Sequence, residues 1–196
     1  MYFNYLKTLL FTVFFSIIFS GCAQKPEVDG KIYILDTCRE ELIKKEDFHQ
    51  EEKIDYILID KQKRKMYVYK GGKIDEEYSI SLGKNPIGTK EKQGDFKTPE
   101  GSYWIRKKIC SPKYYRSLSI SYPSHEDAKK AKAKGLNPGG DITIHAQPTW
   151  NADGNGDDYT LTHNWTNGCI AVTNSAMKKL WYCVDEGVPV IIKGQS

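Results

Sequence analysis

From residue 54 onward apolar positions recur with the short period of β-strands. Ile54, Tyr56 and Leu58 alternate with Asp55, Ile57 and Ile59, and similar runs follow at 65–69 and 77–82. The polar link 60–64 and the Lys70-Gly71-Gly72-Lys73 turn join these runs, which predicts an antiparallel meander. Gly83, Asn85, Pro86, Gly88, Gly94, Pro99 and Gly101 fall too densely for the interior of an element, so 83–101 is expected to be a shaped loop. Strand patterns return at 102–109, 117–122, 141–145, 168–172 and 188–192. Helical spacing is clearest over 174–187, where Ala176, Leu180, Cys183 and Val184 share a face, Thr173 or Asn174 can cap, and Gly187 with Pro189 stops the run. Two weaker helical stretches are 40–48 and 126–134, the second exposed and closed by Gly135, and 31–35 is a further short apolar element. The expected fold is mainly β, with one C-terminal helix packed on the sheet.

Ahead of that pattern lies a different kind of segment. Lys7 precedes an apolar stretch, 8–19, too short for a comfortable membrane span, and Ser20-Gly21-Cys22 follows. This arrangement resembles a bacterial lipoprotein processing site, with an ordinary secretory signal as the alternative. The expected division is a lipoprotein signal peptide at 1–21, a charged tether at 22–53 and a folded domain at 54–196. The implied location is outside the cytoplasm, facing the periplasm or cell wall, with Cys22 lipidated and held in a lipid membrane. Ala23 supplies no aspartate-type retention signal after Cys22, so the outer membrane is expected rather than the inner.

A chain of 196 residues with 39% hydrophobic and 28% charged residues suits one soluble domain after that leader. The net charge of +4 is dispersed apart from the lysines at 129–134, without the continuous basic face of a nucleic-acid binder, so no nucleic-acid partner is expected. In an exported protein, Cys38, Cys110, Cys169 and Cys183 invite disulfides. A nucleophilic Cys169 would leave three cysteines and at most one bridge, whose pairing stays open.

Cys169 follows Gly168 and enters an apolar run, and His145 ends the run at 142–145. That setting suits a small buried hydrophobe equally well. As a nucleophile the thiol needs a base, because at its free pKa of ~8.5 little of it is ionised near neutrality. Asp153-Gly154-Asn155-Gly156-Asp157-Asp158 mimics a calcium loop, but Asp158 and Asn164 stand where glycine and glutamate are required. This polar segment instead reads as a lid between His145 and Cys169, and neither metal nor cofactor is expected.

Four ordered segments carry a family resemblance: 83–88 (GKNPIG), 94–101 (GDFKTPEG), 139–145 (GGDITIH) and 166–172 (TNGCIAV). Together they resemble the L,D-transpeptidase (YkuD-like) catalytic domain over about residues 54–192. The resemblance implies a β-sandwich or barrel acting on peptidoglycan stem peptides, with Cys169 as nucleophile and His145 as base. Gly168 would be the glycine whose neighbourhood of backbone N–H groups stabilises the oxyanion. The implied reaction is acyl transfer through a thioester. Asn167 and Ala171 stand where the family often has histidine and arginine, Ala146 replaces a usual glycine, and the His145–Cys169 spacing is long. The variant at 166–172 is similar to a subgroup that includes peptidoglycan–lipoprotein amidases, which adds a wall-attached lipoprotein as a partner.

Around this pair, Arg116, His163, Trp165 and Asn167 are candidate substrate contacts, Arg116 for a stem carboxylate and Trp165, with Trp150, as an aromatic wall. Solvated or core roles are the alternatives for each. Hydrolytic use of the same thiolate, as an L,D-carboxypeptidase, endopeptidase or lipoprotein amidase, is the nearest rival to transfer. A zinc hydrolase built on His145, His163 and Cys169 lacks a tight ligand pair. A lipid-tethered wall-binding protein with a spent site is the remaining class.

Overall fold

The computed structural model describes residues 35–44 and 53–194. The expected signal peptide, Cys22 and most of the expected tether lie outside the described residues. In chain order the elements are α1 (Leu35–Lys44), β1 (Tyr56–Asp60), β2 (Lys65–Lys70), β3 (Lys73–Ser79), β4 (Gly101–Ser111), β5 (Tyr115–Ile120), α2 (His125–Ala133), β6 (Thr143–His145), a 3-10 turn (Thr149–Asn151), α3 (Asp157–Thr162), β7 (Ile170–Ala171), α4 (Asn174–Cys183) and β8 (Pro189–Lys193).

The meander forms as the alternation predicts, β1 pairing antiparallel with β2 and β2 with β3. The sheet they join has the order β3-β2-β1-β8-β4-β5-β6-β7. It is one mixed strand order with β3 and β7 last at either side, and bridges from Ser81 to Ala171 and from Gly83 to Thr166 bring the chain after β3 against the β7 end, so the sheet curls into a half-barrel rather than the expected sandwich. The last strand sits in the middle, parallel to β1 and antiparallel to β4. β4 is long enough to serve both halves. Its first residues pair with β8, and beyond a register irregularity at Ile105–Lys107 it pairs with β5. A bulge of this kind increases twist and bends the strand, which curls the sheet.

Four helices occur among the described residues, where one packed helix was expected. α4 is the predicted one. Ala176, Leu180, Cys183 and Val184 are all buried, together with Met177 and Trp181, and the Thr173 side chain accepts from Ala176 N at its start. Full burial of side chains of this size stabilises by roughly 1.5–3 kcal/mol each. α2 has a capping box between Ser124 and Asp127, and Gly135 follows it at φ +67°. α3 falls in the segment read as a lid.

α1 falls inside the expected tether, yet it is fastened to the domain. Cys38 is fully buried and bonded to Cys110 of β4, with Cα atoms 5.9 Å apart. One turn later Glu41 accepts two hydrogen bonds from Arg116 Nη2 (2.7 and 3.0 Å), one from Trp181 Nε1 (3.0 Å) and one from the Tyr182 hydroxyl (2.8 Å). Helix, sheet and α4 therefore meet at one carboxylate.

Candidate active site

β6 ends in His145, and β7 begins directly after Cys169. They run parallel with Ile144 opposite Ile170 and His145 opposite Ala171. Side chains alternate along a strand, so Thr143, His145 and the residue preceding Ile170 share one face. That residue is Cys169, the free cysteine among the described residues. Its Sγ lies 3.6 Å from Thr143 Oγ1 and 3.6 Å from the Asp141 carbonyl oxygen. Backbone bonds brace the pair from both sides. Val172 N donates to His145 O at 3.0 Å, Ala146 N to Arg116 O at 3.3 Å, and Ser81 exchanges two 2.9 Å bonds with Ala171.

The His145 ring is 1% exposed and clamped between aromatics. Tyr114 stacks on it at 3.9 Å between centroids, and Trp165 meets it edge-on at 5.6 Å. Nδ1 is 2.7 Å from Ala146 O, a carbonyl that can only accept, so Nδ1 carries the proton. Nε2 is therefore an acceptor, and it is buried without a hydrogen-bond partner. Burial pushes the imidazole pKa down to about 4, so the ring is neutral at pH 7. Burial also pushes the Cys169 thiol up from its ordinary value, and the hydrogen bonds from Thr143 only partly oppose this. The resting pair is a neutral thiol beside a neutral imidazole.

A testable consequence concerns alkylation by iodoacetamide. With burial pushing the thiol above its ordinary value, only a small fraction of it is ionised at pH 7. The alkylation rate of Cys169 is expected to rise about tenfold per pH unit through pH 8, with no plateau below it. A rate that is already flat between pH 5 and 8 would instead reveal a thiolate–imidazolium pair.

The turn into β7 is set by Thr166 and Gly168. Thr166 Oγ1 donates to Cys169 O at 2.8 Å and accepts from Gly168 N at 3.1 Å. The Gly168 N–H is thus engaged, and the resemblance's oxyanion assignment does not extend to that donor. What glycine contributes here is space. Gly168 has φ +129°, and a Cβ would lie 2.7 Å from Lys97 O and 3.2 Å from Ile142 Cδ1.

Lys97 belongs to the shaped loop, which is tied internally. Asp95 accepts from Glu91 N, Lys92 N and Lys97 N and from Lys90 Nζ, at 2.8 to 3.1 Å. Partial burial would raise the Asp95 carboxyl, but these four donors hold it at about 2. Lys61 Nζ fastens the far side of the loop through Gly88 O, Thr98 O and Glu100.

The resulting cleft of roughly 560 Å³ is lined by Cys169, His145, Trp165 and Asn167, all singled out in the sequence, and by Lys84, Lys113, Tyr114, Asp141 and Thr166. Two sequence candidates lie elsewhere. Arg116 is committed to Glu41 and Tyr182, its charge already compensated in the interior, and does not line the cleft. His163 is exposed and stacks on Tyr159, with Nδ1 2.9 Å from Tyr159 O and from Thr162 Oγ1. Trp150 is 65% exposed on the 3-10 turn and also lies outside the lining.

The segment 146–164 is a braced insertion rather than a lid. Asn151 is buried and bonds Gln147, Asp157 and Gly156, while Asn174 Nδ2 holds the carbonyls of Asn151 and Ala152. Arg64 caps the end of α3 through the carbonyls of Leu161, Thr162 and His163. No group of three metal-ligating side chains occurs among the described residues.

Of the residues missed in the sequence, Thr143 had a signal, since it stands two before His145 on the same strand face. Tyr114 had none, because its stacking depends on how the β4–β5 turn folds over β6.

Comparison with known proteins places this geometry. The family model described as the L,D-transpeptidase catalytic domain, YkuD, matches residues 54–192. YafK of Escherichia coli (strain K12), which carries an L,D-transpeptidase name, is 30% identical over 135 residues, covering 66% of this chain and 46% of its own length. The helical cell shape determining protein Pgp2 from Campylobacter jejuni has a similar structure. Its K307A mutant gives a TM-score of 0.55 at 30% identity, over 76% of this chain and 49% of that one. The other Pgp2 structure gives 0.53 at 28%, over 83% and 56%. The chain thus spans about half the length of the relatives it matches. A family model covering most of the chain, and a cysteine–histidine cleft on the matched fold, establish that this chain belongs to the YkuD family of L,D-transpeptidase catalytic domains.

Proposed function

We propose that this protein is a cysteine-dependent L,D-transpeptidase that takes peptidoglycan stem peptides as acyl donors. The observation that carries the reading is the buried, unpartnered Nε2 of His145 in the wall of the cleft that holds Cys169. A buried acceptor without a donor is costly unless it has a use, and a proton from the thiol supplies one.

In the first half-reaction the Cys169 S–H proton moves to His145 Nε2 as sulfur attacks the carbonyl preceding the terminal D-residue. The C–S bond forms, the C–N bond breaks, and the imidazolium returns its proton to the departing D-alanine amine. A buried imidazolium with a pKa near 4 is a strong acid, so it is suited to protonating a leaving amine. Trp165 and Tyr114 keep the ring in one orientation throughout. In the second half-reaction an amine or water attacks the thioester and sulfur leaves.

Product analysis on purified sacculi tests the proposal. D-alanine released together with a new crosslink is expected. Sacculi unchanged after prolonged incubation would contradict it.

The finer expectations are that the chain is exported and lipidated at Cys22. What supports them is the segment 8–22 and a catalytic-domain family whose substrate lies outside the cytoplasm. Among the described residues no helix is long and apolar enough to cross a membrane. Cys22→Ser is expected to move the protein from the membrane fraction to the soluble extract. Unchanged fractionation would exclude the lipid anchor.

A further inference from the structure

The cleft has two lobes, and Asp141 stands where they meet. One lobe holds Cys169 and His145 between Lys84, Lys113 and Trp165; the other is bounded by Lys90, Gln93 and Phe96. Asp141 lines both. Its backbone carbonyl lies 3.6 Å from Cys169 Sγ, so the residue is in contact with the nucleophile. Its side chain is exposed, and no cation pairs with the carboxylate among the described residues. Lys90, a basic residue of the second lobe's wall, is committed to Asp95 at 2.8 Å. Asp141 also holds φ +56°, a conformation most residues avoid and one that aspartate and asparagine tolerate.

A negative charge beside the sulfur works against the first half-reaction. Burial is the main reason the Cys169 thiol is raised; the Asp141 charge pushes in the same direction, and the Lys90 charge opposes it. A site shaped only to form a thioester would place a neutral or positive group there. The carboxylate gains a purpose if the second substrate arrives as a cation.

We propose that the Asp141 carboxylate receives the acceptor amine, in its ammonium form, at the junction of the two lobes, and so favours transfer of the acyl group to an amine over its loss to water. This rests on the thioester reading above. The ammonium gives one proton to solvent and attacks the thioester carbonyl. The C–N bond forms, a further proton passes from nitrogen to His145 Nε2, the C–S bond breaks, and His145 returns that proton to sulfur. The net products are an amide, the free thiol and one released proton.

The test uses the full chain, a tetrapeptide-stem muropeptide as donor and D-alaninamide as acceptor. D-alaninamide carries an α-amine, with a pKa of about 8 and so mostly cationic at pH 7, and no carboxylate. The readout is the ratio of amide product to hydrolysed tripeptide as acceptor concentration is varied. Asp141→Asn keeps the left-handed backbone and the shape of the side chain. It is expected to raise the acceptor concentration needed for equal partition by about tenfold, the effect of removing about 1.4 kcal/mol. With hydroxylamine, which is neutral at pH 7, the variant is expected to partition as the parent does. An unchanged ratio with D-alaninamide, an equal loss with both acceptors, or a parent protein that only hydrolyses would each overturn the proposal. Absence of any thioester in the parent would instead remove the reading beneath it.

Discussion

Replacing Glu41 by alanine is expected to cost about 3–5 kcal/mol of stability, measured by urea unfolding with the Cys38–Cys110 bridge intact. Arg116 and Glu41 have side chains only 10% and 12% exposed, and their closest contact is 2.7 Å. Alanine would leave the guanidinium charged and enclosed, and would also strand Trp181 Nε1 and the Tyr182 hydroxyl. Breaking one side of such a pair is far more damaging than replacing both, because the remaining charge loses its compensation. Glu41→Gln is expected to lose less, since its amide oxygen still accepts from Trp181 or Tyr182. The effect should reach the site, because Arg116 O holds Ala146 N directly after His145. A loss below about 1 kcal/mol for Glu41→Ala would show that α1 is dispensable to the domain.

The second large effect is expected at Gly168. Gly168→Ala places a methyl group 2.7 Å from a backbone carbonyl of the shaped loop, at a φ of +129° that alanine rarely adopts. Neither neighbour yields easily. Lys97 is fixed by the Asp95 network, and Gly168 is itself tied through Thr166. The turn carrying Cys169 must move away from Thr143 and from the loop. A shift of about 1 Å at a nucleophile costs on the order of 100-fold in turnover, and backbone strain adds about 1–3 kcal/mol of instability. A comparison of kcat/KM with the urea midpoint separates the two effects. An alanine variant with parental turnover would mean that the turn tolerates displacement.

These two residues illustrate what local pattern can and cannot reveal. The meander, α2, α4 and the loop at 83–101 were legible because each is specified by period, caps or turn residues within a short window. The central position of β8 was not, since its pairing with β1 and β4 joins distant parts of the chain. Glu41 looked like one member of a charged run, and nothing nearby announced that Arg116, Trp181 and Tyr182 would converge on it. Arg116 looks like a substrate contact from sequence for the same reason. An arginine in a polar stretch gives no sign of which partner neutralises it.

At the site, the glycine before Cys169 and the strand ending in His145 were visible, and Trp165 and Asn167 do line the cleft. The tautomer of His145, the Tyr114 stack and the engaged N–H of Gly168 depend on contacts between segments. The length of the His145–Cys169 separation suggested a lid. The structure shows instead a small braced insertion in which buried Asn151 bonds Gln147 and Asp157, while Asn174 of α4 holds the carbonyls of Asn151 and Ala152. Polar composition alone does not distinguish a mobile cover from a hydrogen-bonded knot.

The central claim is that Cys169 carries the acyl group. The most direct measurement is the intact mass of the protein after mixing with a tetrapeptide-stem muropeptide, followed by peptide mapping. An adduct equal to the donor minus D-alanine is expected, attached to the peptide containing Cys169. Cys169→Ala is expected to show neither adduct nor D-alanine release. Continued release of D-alanine by Cys169→Ala, or an adduct mapped to another residue, would contradict it.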